Sequence, residues 1–248
     1  MKRLRLAPSL ALALLAALWV GAATAGPVKA VALAAGAGGH FVQTGVIDWK
    51  NVLPAPPAAG SIAARGDLET VLQVQAARTA ADIAWAKLIE KENVYADFAD
   101  IIGPWFSEEN LPVTAGFLKE VTAEAFAASK EVKSLYARSR PPAVEPAVQP
   151  CVAIPATSSY PSGHSIRAFV WAAVLGEIFA DKQTELFARA HHVAWGRIIG
   201  GVHFPSDDVG GQIVARAVVL ELRKNPEYRA AIEKCRAEAE PFLLKKAA

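Results

Sequence analysis

The chain has 248 residues, 53% of them hydrophobic, and its 26 Lys and Arg against 24 Asp and Glu leave a formal charge of +2. That excludes a disordered chain, which would be poor in apolar residues, and a nucleic-acid binder, which would carry a strong basic excess. With 17 Gly, 16 Pro and 2 Cys it is neither collagen-like nor a disulfide-stapled miniprotein. About one residue in five is Ala, so the composition points to one sizeable helical domain.

Met1 to Ala25 reads as a secretory signal peptide. Lys2, Arg3 and Arg5 form its basic start, Leu10 to Val20 its apolar run, and Ala23-Thr24-Ala25 its cleavage site before Gly26. The rival reading is a retained anchor, but the apolar run is shorter than the roughly 20 residues a span needs. Cleavage removes three basic residues and turns +2 into −1. No later apolar stretch reaches about 18 residues, so no stable membrane insertion is predicted after cleavage. Export implies a periplasmic or secreted protein, where disulfides persist. A Cys151–Cys235 bridge would close a loop of roughly 84 residues and contribute about 4 kcal/mol. Two free thiols are the other reading, and both stay open.

Gly26 to Gly60 is rich in Gly, Pro and Ala and reads as an extended lead-in. The helical domain then covers residues 61–248. Asp67 is predicted to cap a helix ending near Ala77, and Thr79 with Asp82 to cap the next. Gly103-Pro104 punctuates, and Pro112 suits the first turn of a long helix. Val113, Phe117, Val121, Ala125, Val132, Leu135 and Tyr136 carry its helical spacing up to Pro141-Pro142. Pro141 to Pro161 is a Pro/Ser/Thr-rich loop. Further helices are predicted over Ser165–Ala180, Thr184–Ile199, Asp207–Lys224 and Glu227–Glu240. No period-2 strand, repeat or linker between two cores stands out, so the fold class is all-α and single-domain.

Three blocks carry chemistry. Pro161-Ser162-Gly163-His164 lies where a loop meets an apolar helix, and free amides at a helix start attract anions. Ser162 can donate a hydroxyl and His164 a proton. Read blandly, this is only a helix cap beside an incidental His. The second block is Lys133, six residues, then Arg140-Pro141. Seven residues are close to two turns, so both cations would share one face near a helix C-terminus. There they either complement the helix dipole or converge on one phosphate. The third block runs Arg197, five residues, His203, three residues, Asp207, with Gly200-Gly201 between. His203 then sits on a turn beside a carboxylate that could fix its tautomer and aim the other nitrogen outward. A buried structural His is the plainer alternative.

Taken in order, these three blocks resemble the signature of the type 2 phosphatidic acid phosphatase superfamily. Within it, the chain is similar to the bacterial class A non-specific acid phosphatases. The wider likeness runs from Val52-Leu53-Pro54-Ala55-Pro56-Pro57 through Arg78-Thr79 to Gly210-Gly211. It implies a helical bundle of the phosphatidic acid phosphatase and vanadium haloperoxidase type. It also implies hydrolysis of small phosphate monoesters without a metal or other cofactor. His203 would be the nucleophile, Asp207 its orienter and His164 the acid and base. Lys133, Arg140, Ser162, the Gly163 amide and Arg197 would hold the phosphate, and the family habit of self-association implies a homo-oligomer. One departure is visible: the family usually has Ser before the arginine of the third block, and here Gly196 stands there. A hydroxyl that could help hold the phosphate or the nucleophile is therefore missing.

Other residues fit plainer roles. His191 and His192 are adjacent on a helix and point apart, so they cannot chelate together, and Asp208 reads as a first-turn dipole partner. Rival functions are a lipid phosphatase and a vanadate-dependent haloperoxidase of the same superfamily, a non-catalytic phosphate binder, and a phosphotransferase. The absence of predicted spans speaks against the first, the short chain against the second, and the intact His203, His164 and Asp207 against the third. A phosphotransferase differs only in which hydroxyl receives the phosphoryl group.

Overall fold

A computed structural model describes residues 40–247. The signal-peptide reading and the first part of the lead-in lie outside the described residues. Among those described there is no strand, and the helices form in the predicted all-α pattern. The second half of the lead-in is anchored rather than loose. It carries one helical turn, α1 (Trp49–Val52), and buries Phe41, Trp49 and Leu53. The Glu124 carboxylate accepts the Phe41 and Val42 amides, and Trp49 Nε1 donates to Glu131 at 2.7 Å. Its aromatic residues decide the outcome, and its Pro and Gly only shape the path between them.

Helix α2 (Ile62–Ala77) begins earlier than predicted, because Ser61 is its cap and accepts from Ala64 N at 3.1 Å. Asp67 lies inside that helix and is buried. The Thr79–Asp82 capping box opens α3 (Ala80–Leu88) as expected. A 3-10 turn (Ile89–Lys91) follows, and α4 (Val94–Ile102) starts on the Asn93 side chain. Helix α5 (Pro112–Lys133) has Pro in its first turn, and its free Val113 and Thr114 amides donate to Glu238, both at 2.8 Å. It stops at Lys133, well short of Pro141. Residues 135–140 leave the helix and lead into the single turn α6 (Pro141–Val144).

Helix α7 (Gly163–Ile178) is apolar on every side, and such a helix belongs inside. It packs against α8 (Gln183–Ile199), α9 (Pro205–Lys224) and α5, and its Ile166, Val170, Val174 and Leu175 are fully buried. The last helix, α10 (Pro226–Ala247), runs further than predicted and packs on α5 and α7. Among the described residues no helix is long and apolar enough to cross a membrane.

Of the two cysteine readings, the structure has the free thiols. Cys235 is fully buried in the main core, on α10, where desolvation pushes its thiol up to about 11. Cys151 belongs to the loop beside the end of α8, with Sγ 3.8 Å from Ile199 O.

Candidate active site

Three chain segments meet at the N-terminus of α7. Lys133 ends α5, and Arg140 is the residue before α6. The predicted two-turn spacing is therefore not the reason they converge, since the chain between them is not helical. What brings them together is a shared set of acceptors on the loop before α7. Lys133 Nζ donates to Ser158 O at 2.6 Å and Pro161 O at 2.7 Å. Arg140 donates through Nε to Thr157 O at 3.0 Å and through Nη2 to Ser158 O at 3.3 Å.

Ser162 caps α7, accepting from Ser165 N at 3.3 Å while its own amide donates to Asp207 O at 2.9 Å. This hydroxyl can still donate its proton. Gly163 is the first residue of α7, so its amide is one of the helix's unpaired N–H groups. Helix α9 comes this close because Gly211 has no side chain: a Cβ there would lie 2.6 Å from Ser165 Cβ and 2.8 Å from Ser162 O.

His203 lies on the turn between α8 and α9 and is 2% exposed. Its Nδ1 is 3.0 Å from Asp207 Oδ2, and its Nε2 is 3.1 Å from Arg140 Nη1. A guanidinium only donates, so Nε2 must be the acceptor and Nδ1 must carry the hydrogen toward Asp207. Geometry thus assigns the tautomer: an Nε2 lone pair aimed among cations. Burial pushes the imidazole down to about 3, against the opposing pull of Asp207. Asp207 is fully buried. Burial raises it, but its hydrogen bond to His203 and the charges of His203 and Arg138 hold it down at about 2.

Arg197, on the last turn of α8, is 1% exposed, and its Nε and Nη1 make no hydrogen bond among the described residues. Burying an unpaired guanidinium is costly, so these donors mark a place for an anion. Burial lowers Lys133 to about 8, Arg140 to about 10 and Arg197 to about 10. All three stay cationic in acid. Lys133, Arg140, Gly163, His164 and His203 line one open cavity of about 500 Å³. The structure brings every predicted phosphate-pocket residue to this end of the bundle.

Gly196 faces elsewhere. A Cβ there would meet Ile89 Cδ1 at 2.9 Å and Trp85 Nε1 at 3.1 Å, so its missing side chain lets α8 close onto α3 and the turn after it. His191 edges the Phe169 ring and His192 stacks on Trp85, both exposed on α8.

Three side chains were not found from sequence. Arg138 Nη1 donates to Asp207 Oδ1 and to Ser206 Oγ, both at 2.6 Å, and its Nη2 to Asp67 Oδ2 at 2.7 Å. Its guanidinium lies 4.1 Å from the Phe204 ring centre. Ser159 donates to Asp207 Oδ2 at 2.5 Å. The third is Arg167, 4% exposed and lining the same cavity. Its signal was available: it is the one charged residue in α7 before Glu177.

Residues 114–230 match the PAP2 superfamily. The chain is 29% identical over 214 residues to a non-specific acid phosphatase of Providencia stuartii, covering 80% of this chain and 84% of that one. It is 27% identical over 202 residues to a non-specific acid phosphatase of Salmonella typhimurium, covering 75% and 78%. Among solved structures, a bacterial vanadium-dependent iodoperoxidase superposes with a TM-score of 0.55 at 18% identity. That likeness covers 70% of this chain and 52% of the other, so the chain spans about half its length, and what it shows is the shared fold. The chain thus carries a segment that matches the PAP2 superfamily and is similar along most of its length to bacterial non-specific acid phosphatases.

Proposed function

We propose that the chain is an exported acid phosphatase that hydrolyses phosphate monoesters, nucleotides and aryl phosphates among them, through a phosphohistidine on His203. The observation that carries this reading is the orientation of His203, with Nδ1 tied to Asp207 and Nε2 facing the cations. The basic start, short apolar run and cleavage site of residues 1–25 support export.

In the first half-reaction His203 Nε2 bonds to phosphorus as the bond to the leaving oxygen breaks, and His164 gives that oxygen a proton. Asp207 stabilises the imidazolium that forms. In the second half-reaction His164 takes a proton from water, whose oxygen bonds to phosphorus while the P–N bond breaks. Lys133, Arg140 and Arg197, with the Ser162 hydroxyl and Gly163 amide, surround the equatorial oxygens. These fixed charges fill the role Mg²⁺ has in many other phosphoryl transfers. The open cavity leaves space beside the phosphate site for varied leaving groups, which suits broad specificity.

Hydrolysis of p-nitrophenyl phosphate in acid should persist undiminished in excess EDTA and should fall on adding orthovanadate, a phosphate mimic. Activity that disappears in EDTA and returns with a divalent cation would overturn the metal-independent mechanism.

A further inference from the structure

His164 must hold a proton before the leaving oxygen arrives, yet its surroundings oppose one. Arg197 of α8, Arg140 before α6, Lys133 at the end of α5 and Arg167 on its own helix crowd it with positive charge, while the His203–Asp207 pair closes the far wall. Burial, then Arg197, pushes its imidazole toward the neutral form. The nearby carboxylates of Glu90 and Glu92 come from the 3-10 turn after α3 and its cap. The ring is hydrogen-bonded to the Glu90 backbone, and Glu90's charge also favours the protonated form. Glu92 comes closest, with Oε1 3.0 Å from His164 Nε2.

Glu92 is fixed in that place. It caps the 3-10 turn at φ 50, a left-handed conformation that a non-glycine residue rarely adopts. Its carboxylate also forms an ion pair with Arg167. Arg167 is itself anchored, with its guanidinium 4.4 Å from the Phe126 ring centre. The Glu92–His164 approach is a charge contact rather than an aligned hydrogen bond. It therefore leaves the ring's N–H direction to the oxygen of a leaving group.

We propose that Glu92, held by Arg167, is the positioning residue that keeps the proton on His164 Nε2 in the free enzyme, so that the general acid is loaded when substrate binds. This inference rests on the phosphatase reading above. Glu92 remains a carboxylate throughout: the proton passes from His164 Nε2 to the departing oxygen, and water later returns one to the same nitrogen. A carboxylate in this position favours the charged imidazole against the surrounding cations.

Leaving groups separate this role from simple packing. p-Nitrophenolate departs with little protonation, whereas an alkoxide needs the acid. In Glu92→Gln, kcat/KM for n-butyl phosphate should fall about ten-fold or more, within the range ascribed to general acids. That for p-nitrophenyl phosphate should stay within about three-fold. The alkaline limb of the butyl phosphate profile should move to lower pH, because His164 loses its proton sooner. Inorganic phosphate should inhibit equally well or more tightly, since one negative charge has left a cationic pocket. Glu92→Asp should restore part of the alkyl activity. An equal loss on both substrates, or no loss on either, with the limb unmoved, would overturn the inference and leave the phosphatase reading intact. A wild-type chain inactive on both substrates would overturn that reading and this inference with it.

Discussion

Arg138 shows how much of the site consists of residues that never meet a phosphate. Its fork spans two buried carboxylates, Asp207 and Asp67, and fixes the oxygen of Asp207 that His203 does not use. Lysine carries the same charge but only one point of attachment. Arg138→Lys should therefore fold, hold inorganic phosphate within about two-fold of wild type, and lose roughly ten-fold or more in kcat as the nucleophile drifts. Steady-state kinetics with phosphate as competitive inhibitor would measure both, and an unchanged kcat would show that Asp207 needs no such hold. The groups proposed to act on phosphate were legible in the sequence, because that chemistry demands particular residue types at particular spacings. The residues that hold them were not. Asp67 satisfies the composition of a helix cap, and only the fold reveals Ser61 capping in its place while Asp67 faces Ser206 and Arg138.

At the scale of elements, some helix boundaries were readable and others were not: the stops at Ala77, Ile199 and Lys224 fall where predicted, but the start of α2 does not. Thr79–Asp82 and Pro112 announce their helices through local chemistry, and the structure agrees. The end of α5 carries no such mark: Leu135 and Tyr136 continue the apolar spacing, but tertiary acceptors on the loop before α7 draw the chain out of the helix. The same logic explains Gly196. Its role is the contact between α8 and the α3 region, so Gly196→Ser, which supplies the residue usual in the family, should be disfavoured here. The added Cβ forces Ile89 or Trp85 to move, an overpacking that costs about 1–3 kcal/mol. Thermal denaturation should show a fall of roughly 2–4 °C per kcal/mol for a chain of this size, with KM for p-nitrophenyl phosphate little altered. A variant as stable as wild type would show that α3 and α8 have slack at this crossing.

For the molecule as a whole, net charge and pocket charge are separate matters. The formal +2 of the full sequence, or −1 without its first 25 residues, gives no field that would gather phosphate esters. Lys133, Arg140, Arg167 and Arg197 instead concentrate positive charge at one end of the bundle, within reach of Glu92. The apolar α7 makes this possible. Wrapped by α5, α8 and α9, it fixes the three motif-bearing segments around its own N-terminus. On the proposed mechanism, His203 Nε2 carries the phosphoryl group between the two half-reactions. The most direct test of this is mass spectrometry of the His164→Ala variant, quenched after mixing with p-nitrophenyl phosphate, whose leaving group needs little acid. A phosphoryl group is expected on His203, trapped because no base remains to activate water, and none in a His203→Ala, His164→Ala double variant. Phosphate found on another residue, or turnover retained by His203→Ala, would contradict that mechanism.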